Sequence, residues 1–250
     1  MNKVIHLISG PRNISTALMY SFAQHPEFKV LDEPFYGYYL AHVHIREAHP
    51  MEQEILQTMP SDHQDVLTQI GQAALGQKVF VKNMAHHCLT QAPFYMKDWQ
   101  NVILIRHPKK LLKSFAKVIE RPDLDAVGIK RAYELMEFFD GQDIAYTVIE
   151  SDELMIDPPV YLSQLCEALG IAFYPEMCQW PAGPNPADGI WAPYWYKNVH
   201  RSTGFARPQS TPDSGVWNDY LEQVLAQALP YYHTLKQKVL LNKNRHATEI

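Results

Sequence analysis

Arg12 stands in the run Ser9-Gly10-Pro11-Arg12-Asn13-Ile14-Ser15-Thr16, between an apolar stretch and the start of a helical pattern. Backbone N–H groups at such a helix start, and the positive end of its dipole, suit an anion. The guanidinium adds a planar donor fork matched to a tetrahedral oxyanion. The run has no Gly-Lys-Ser/Thr, the element that holds phosphates and magnesium in nucleotide triphosphatases. It also fits an ordinary strand-to-helix turn carrying an exposed arginine.

Three further groups follow apolar runs in the same way. Asp32 and Glu33 precede Pro34-Phe35-Tyr36-Gly37-Tyr38-Tyr39. Against an aromatic wall a carboxylate's pKa rises, which suits Glu33 to general base work; the alternative is a surface or turn-forming charge. Lys82 is followed by His86 and His87. A lysine at a strand end beside a histidine can neutralise a bridging oxygen while the histidine takes a proton from an alcohol. No third ligand lies at helical or hairpin spacing from the two histidines, so no metal is expected. His42, His44 and His49 read as solvent-facing or packing residues. Arg106 and Ser114, eight residues apart, reach one phosphate if the helix after Pro108 folds back beside its strand. The lysines at 109, 110, 113 and 117 read as a solvated helix face.

Strands must deliver these groups. Short β-branched or apolar runs at 3–9, 28–36, 78–84, 101–108 and 145–154 read as five strands, separated by helical patterns at 16–24, 37–76, 109–119 and 160–171. Ser15 or Thr16 is placed to cap the first helix. Strand alternating with helix gives an α/β fold with a central parallel sheet flanked by helices. In such sheets ligands bind beyond the carboxyl ends of the strands, where every group named above falls. A Pro- and aromatic-rich stretch, 175–212, reads as a loop covering the core or a site. A last helix, 216–241, is expected to be interrupted or kinked at Pro230. No clean boundary divides the chain, so 1–250 reads as a single domain.

The 250 residues carry a net charge of -5, which argues against broad nucleic-acid or membrane-surface binding. Cys88, Cys166 and Cys178 include no Cys-x-x-Cys pair and read as reduced thiols. The first apolar run is too short for a signal peptide or membrane span, so the expected location is cytoplasmic. The sequon at Asn13 reads as chance. Tyr36, Tyr38, Tyr39, Phe94, Trp99 and the aromatics of 191–196 suggest an apolar acceptor pocket, with core packing as their default role.

Taken together, the segments resemble the sulfotransferases that use 3′-phosphoadenosine-5′-phosphosulfate (PAPS). "SGPRNISTAL" resembles that family's 5′-phosphosulfate loop, and "LIRHPKKLLKSF" its 3′-phosphate motif. "VIESDELMIDPPVYLSQLCEALGI" resembles its strand, acidic-Leu turn, Asp-Pro and helix. "HRSTGF" sits where a late loop returns to the 3′-phosphate. The resemblance reaches small bacterial and plant sulfotransferase-like proteins, some loosely described as aminotransferase-like, although no lysine here looks like a pyridoxal site.

The resemblance implies the sulfotransferase fold, with its P-loop-like sheet, and a role for each group. PAPS would be the cosubstrate, held at its 5′ end by Gly10, Pro11, Arg12, Asn13, Ser15 and Thr16. Arg106, Ser114 and the run Arg201, Ser202, Thr203 and Gly204 would hold the 3′-phosphate. Arg12 and Lys82 would bind the transferring sulfuryl group and the bridging oxygen. The acceptor would be a hydroxyl or amine of a small molecule, with Glu33 as base and His86 or His87 as rival or partner. A sulfuryl group is transferable without magnesium, which accounts for the loop. Ala17 and Leu18 stand where the family stacks an aromatic on adenine, so the 191–205 segment is expected to hold that ring. The alternatives are a non-catalytic nucleotide-binding relative and a P-loop phosphotransferase.

Overall fold

A computed structural model describes residues 3–43, 49–117, 119, 121–205 and 217–244. The five strands are β1 (Val4–Ser9), β2 (Phe28–Asp32), β3 (Lys78–Met84), β4 (Gln100–Ile105) and β5 (Tyr146–Glu150). All neighbours pair in parallel, in the order β2-β3-β1-β4-β5. The helices are α1 (Ser15–Phe22), α2 (Tyr36–His42), α3 (Glu52–Thr58), α4 (His63–Ala73), α5 (Pro108–Phe115), α6 (Leu124–Val127), α7 (Ile129–Gly141), α8 (Ser151–Leu154), α9 (Pro158–Ala168), α10 (Ala192–Trp195), α11 (Lys197–His200) and α12 (Asp219–Lys236). No helix among the described residues is long and apolar enough to cross a membrane.

Strand alternation divides the core. Ile8, Ile103 and Ile105 pack under α5, α7 and α12 through Leu111, Leu135 and Leu225. Ile5, Leu7, Val102 and Leu104 face α1 and α9, where Leu18, Phe22, Leu162 and Leu165 meet them. With both faces covered, the central strands β1 and β4 read as nearly continuous apolar runs, the sequence mark of a parallel sheet, whereas the edge strand β2 exposes Lys29.

Four expectations need correction. β2 stops at Asp32 because Glu33 takes a left-handed backbone (φ 48°) and Pro34 follows it. Neither Ser15 nor Thr16 caps α1: Ile14 occupies the N-cap position at φ 60° and no side chain closes the helix start. Helix α12 runs unbroken through Pro230. The carbonyl that Pro230 leaves without a donor belongs to Ala226, and both residues are exposed, so water can satisfy it. The stretch 120–144, to which the sequence reading assigned nothing, holds α7, whose Ile129, Ala132, Leu135, Met136 and Phe139 are buried at helical spacing.

The expected cover is described through residue 205. It contains a 3-10 turn (Pro175–Cys178), α10 and α11. Trp191, Ala192 and Tyr196 pack on Tyr36 and Leu40 of α2 and Ile55 of α3. Tyr20 of α1 donates to Asp188 (2.6 Å), which also meets His200 (2.9 Å). Residues 206–212 of the cover, 216 of the last helix, and His44 lie outside the described residues. Cys88, Cys166 and Cys178 are all free thiols.

Phe80 of β3 stacks on Phe22 of α1 at 4.0 Å and is 1% exposed, joining sheet to helix. Phe80→Ala is expected to cost about 3–5 kcal/mol, measured by urea unfolding. A loss below about 1 kcal/mol would show that this side of the core collapses to fill the space.

Candidate functional site

The carboxyl ends of the strands open into one cavity of about 1480 Å³. Of the residues named from the sequence, Pro11, Arg12, Asn13, Ser15, Thr16, Glu33, Lys82, His86, His87, Arg106, Ser114, Ser202 and Gly204 line it. Gly10 lies behind the loop instead, where an added Cβ would come within 2.4 Å of the Val127 carbonyl of α6. Arg201 and Thr203 are exposed and line a neighbouring open cleft, not the main cavity.

At one end the loop after β1 is held from behind. The Asn13 amide donates to the Leu104 carbonyl (3.1 Å), and the Ser151 hydroxyl donates to the Asn13 carbonyl (2.9 Å). Asn13 is 2% exposed, which removes its sequon from the surface. Arg106 donates from Nη1 to the Arg12 carbonyl (2.6 Å), and Arg12 donates from Nε to Ser114 Oγ (3.0 Å). Arg12, Arg106 and Ser114 thus form one connected group, whereas the sequence paired only Arg106 with Ser114 and set Arg12 apart in the loop. Arg12 and Ile14 both have left-handed backbones (φ 59° and 60°). Such strain in a β-branched residue persists only where surrounding contacts enforce it.

Neither guanidinium forms an ion pair among the described residues. Burial pulls both below the usual arginine pKa, although a guanidinium stays charged. Two adjacent, half-buried cations, with Asp152 offsetting Arg106 only in part and not in direct contact, lie at an uncapped helix start with Ser15 and Thr16. That arrangement favours an anion with several oxygens.

The other end is built on a buried cation. Asp32 and Lys82 are register partners on β2 and β3, so their side chains leave the sheet on one face. Lys82 has no exposed surface; its Nζ donates to Asp32 Oδ1 (2.9 Å), Glu33 Oε1 and Tyr196 Oη (2.6 Å). An ammonium has three N–H bonds, and all three are used. Burial alone would lower the Lys82 pKa, but Asp32 and Glu33 outweigh it and hold the ammonium charged. Glu33 moves above the usual carboxylate range, first through burial and then through Asp32, against the pull of Lys82.

His86 and His87 are buried beside it. Burial pushes the His86 imidazole down to about 3, and His87 falls well below its ordinary value through burial and then through His86, His49 and Lys82. His87 stacks on Tyr36 (4.7 Å, 12°), and its Nδ1 stands 3.7 Å from Glu33 Oε2. Tyr36, Tyr39, Trp191, Trp195 and Tyr196 form the aromatic wall. Tyr38, Phe94 and Trp99 do not reach it: Phe94 packs on Phe138, and Trp99 on His6 and Tyr95. His49 joins the cavity and meets the Tyr36 hydroxyl at 2.5 Å, whereas His42 is exposed and bonds the Tyr38 carbonyl. No group of three or more His, Cys, Asp or Glu side chains among the described residues is arranged to hold a metal ion.

Sequence reasoning missed Asp32 and Ser151 as parts of the site, and it offered Tyr196 only as pocket wall, not as a polar partner of Lys82 and Asp32. Asp32 carried a signal, its place beside Glu33. The polar roles of Tyr196 and Ser151 carried none, because Asp32, Lys82 and Asn13 lie more than 100 residues from them in the chain.

A family model described as a sulfotransferase domain matches residues 2–239. Two Arabidopsis thaliana proteins, named branched-chain-amino-acid aminotransferase-like proteins 2 and 1, are each 36% identical to the chain, over 94% and 95% of its length. The chain spans about two-fifths of these relatives (41% and 42%). Among solved structures, the sulfotransferase domain from the curacin biosynthetic pathway superposes with a TM-score of 0.56 at 16% identity. It covers 91% of this chain and 97% of that one, a likeness of fold.

The anion end makes a prediction of its own. Inorganic sulfate is expected to raise the thermal midpoint of the wild-type protein, and Arg12→Ala or Arg106→Ala to remove most of that rise. An equal rise in all three proteins would place the bound anion elsewhere.

Proposed function

The chain belongs to the sulfotransferase domain family, and from that premise we propose that it moves a sulfuryl group from PAPS to a hydroxyl or amine of a small-molecule acceptor. One observation carries the reading: a single cavity has two arginines without ion-pair partners among the described residues at one end and a buried carboxylate of raised pKa at the other. Arg12, Ser15, Thr16 and the α1 N–H groups would hold the 5′ end. Arg106 and Ser114 would hold the 3′-phosphate, with Ser202 and Gly204 beside them. The donor supplies the sulfuryl group; the rest is positioning and charge stabilisation by this chain.

The residues fit that donor. Gly204 pairs with Gln179 in an isolated antiparallel bridge, and a Cβ there would meet the Cys178 carbonyl at 2.8 Å. The bridge thereby fixes Phe205 and Val199 at the cavity beside Ala17, where they offer an apolar surface to a purine.

The proton from the acceptor goes to Glu33. A buried carboxylate with a raised pKa is the stronger acceptor, whereas a histidine held near 3 resists protonation. Lys82, with every N–H committed, would act by holding Glu33; reaching a bridging oxygen would require it to release a partner. Arg12 then remains the cation for the transferring group.

Two measurements test this. Adenosine 3′,5′-bisphosphate at about a hundred times its Kd is expected to raise the thermal midpoint by about 5–10 °C, with less from AMP and none from ATP–magnesium. A shift with ATP–magnesium alone would sink the sulfotransferase reading. Glu33→Gln is expected to lower kcat at least about 100-fold while the bisphosphate still binds. The wild-type rate should fall below a pH that lies above the ordinary glutamate value of about 4.3, because Glu33 must be unprotonated to act. A variant that keeps full activity passes the base to His86 or His87.

A further inference from the structure

The two carboxylates beside Lys82 have unequal surroundings. Asp32 accepts from Lys82 (2.9 Å), from the Tyr196 hydroxyl (2.9 Å to Oδ1 and 2.8 Å to Oδ2) and from the Gly189 N–H (3.0 Å). Two of those three donors, Tyr196 and Gly189, belong to the covering segment. Glu33 accepts from Lys82 through Oε1, with Tyr196 Oη farther off at 3.3 Å. Its Oε2 accepts no hydrogen bond among the described residues.

The Tyr196 hydroxyl is itself fully used. It donates toward Asp32 and accepts from Lys82 and from Trp191 Nε1 (3.1 Å). A hydroxyl has one hydrogen and two lone pairs, so it can make no further bond. A residue that only filled space could be a phenylalanine, since burying this oxygen without partners is costly.

We propose that Tyr196 is a positioning residue for the transfer step: carried in by the cover, its hydroxyl bonds both Asp32 and Lys82 and holds that ion pair in place. Glu33 Oε2, which accepts no hydrogen bond among the described residues and has His87 Nδ1 at 3.7 Å, is thereby left as the oxygen that takes the acceptor's proton. The inference rests on the reading of Glu33 as the base. It divides a carboxylate pair into a structural and a reactive member by unequal hydrogen bonding. The groups facing Glu33 are Asp32 and Lys82 from β2 and β3, His86 and His87 from the turn after β3, Tyr36 from α2 and Tyr196 from the cover.

The test is Tyr196→Phe in the full chain, read in two ways. The first is carbon NMR titration of labelled glutamate carboxyls, with the Glu33 signal identified by its loss in Glu33→Gln. Removing one hydrogen-bond donor from the pair is expected to raise the titration of Glu33 by about one pH unit. The second is the pH profile of kcat, whose acid limb should move upward by the same amount while the bisphosphate Kd stays unchanged. An unmoved titration, or a kcat lowered equally at every pH, overturns the proposal and leaves Tyr196 as packing. If Tyr196→Phe does not fold, Trp191→Phe removes the donor to the same hydroxyl, and the same shift in direction, smaller in size, is required. The titration needs no turnover. If wild-type protein neither binds the bisphosphate nor transfers sulfuryl, the functional reading fails, while a titration that still moves keeps the coupling of Tyr196 to Glu33.

Discussion

A lysine ammonium with no exposed surface dictates what surrounds it. Removing such an ion from water costs several kcal/mol unless close partners replace the lost hydration. Lys82, on β3, takes its partners from two other stretches of chain: Asp32 and Glu33 at the end of β2, and Tyr196 in the cover. Two carboxylates against one ammonium leave an excess negative charge, and the Gly189 N–H and the Tyr196 hydroxyl help to stabilise it on Asp32. The floor of the cavity and its cover are therefore one hydrogen-bonded unit. This also explains why a segment with so little regular structure is ordered: it ends in partners for a buried charge, and Asp188 ties it to α1.

The opposite end of the cavity has the reverse balance. Arg12 and Arg106 bond to a hydroxyl and a backbone carbonyl, no carboxylate forms an ion pair with either among the described residues, and Asp152 offsets Arg106 only from a distance. The fold thus satisfies its buried charge internally around Lys82 and leaves it without an ion-pair partner among the described residues at the arginine end. An anion carrying several oxygens completes that open side. A developing negative charge between the two ends would be drawn toward the arginines and away from the carboxylates, the polarity that in-line transfer to a deprotonating acceptor needs.

Much of this was legible in the sequence, and what was not has a physical cause. Apolar β-branched runs located all five strands, because buried parallel strands leave no polar alternation to misread. Arg12, Arg106 and Ser114 were found from their positions after strands, since a parallel sheet gathers its strand ends whatever the connecting lengths. The capping of α1 was misjudged because Ser15 and Thr16 are good caps by type, while the chain puts Ile14, in a left-handed backbone, at the N-cap and both hydroxyl residues inside the helix. Helix α7 had its signal in the spacing of Leu135, Met136 and Phe139 and needed only to be read. Tyr196 was different. A tyrosine among tryptophans and prolines looks like wall material, and only its bonds to Asp32 and Lys82, across more than 100 residues, show its hydroxyl at the centre of a charge cluster.

The choice of base follows from the same dryness. Burial disfavours whichever form carries charge, so it acts in opposite directions on an acid and on a base. For Glu33 the charged form is the carboxylate, and desolvation raises its affinity for a proton. For His86 and His87 the charged form is the imidazolium, and the same desolvation lowers theirs. A histidine next to bulk water is well matched to neutral pH; at the bottom of this cavity, with Lys82 adding like charge, it is not. A carboxylate placed there gains basicity from each change that costs the histidine its own. Lys82 keeps that gain from going too far, since a glutamate left without a cation would hold its proton permanently. The buried ammonium and the raised carboxylate therefore belong to one arrangement, and under the proposed transfer the same burial that lowers the histidines makes Glu33 the residue able to take the proton.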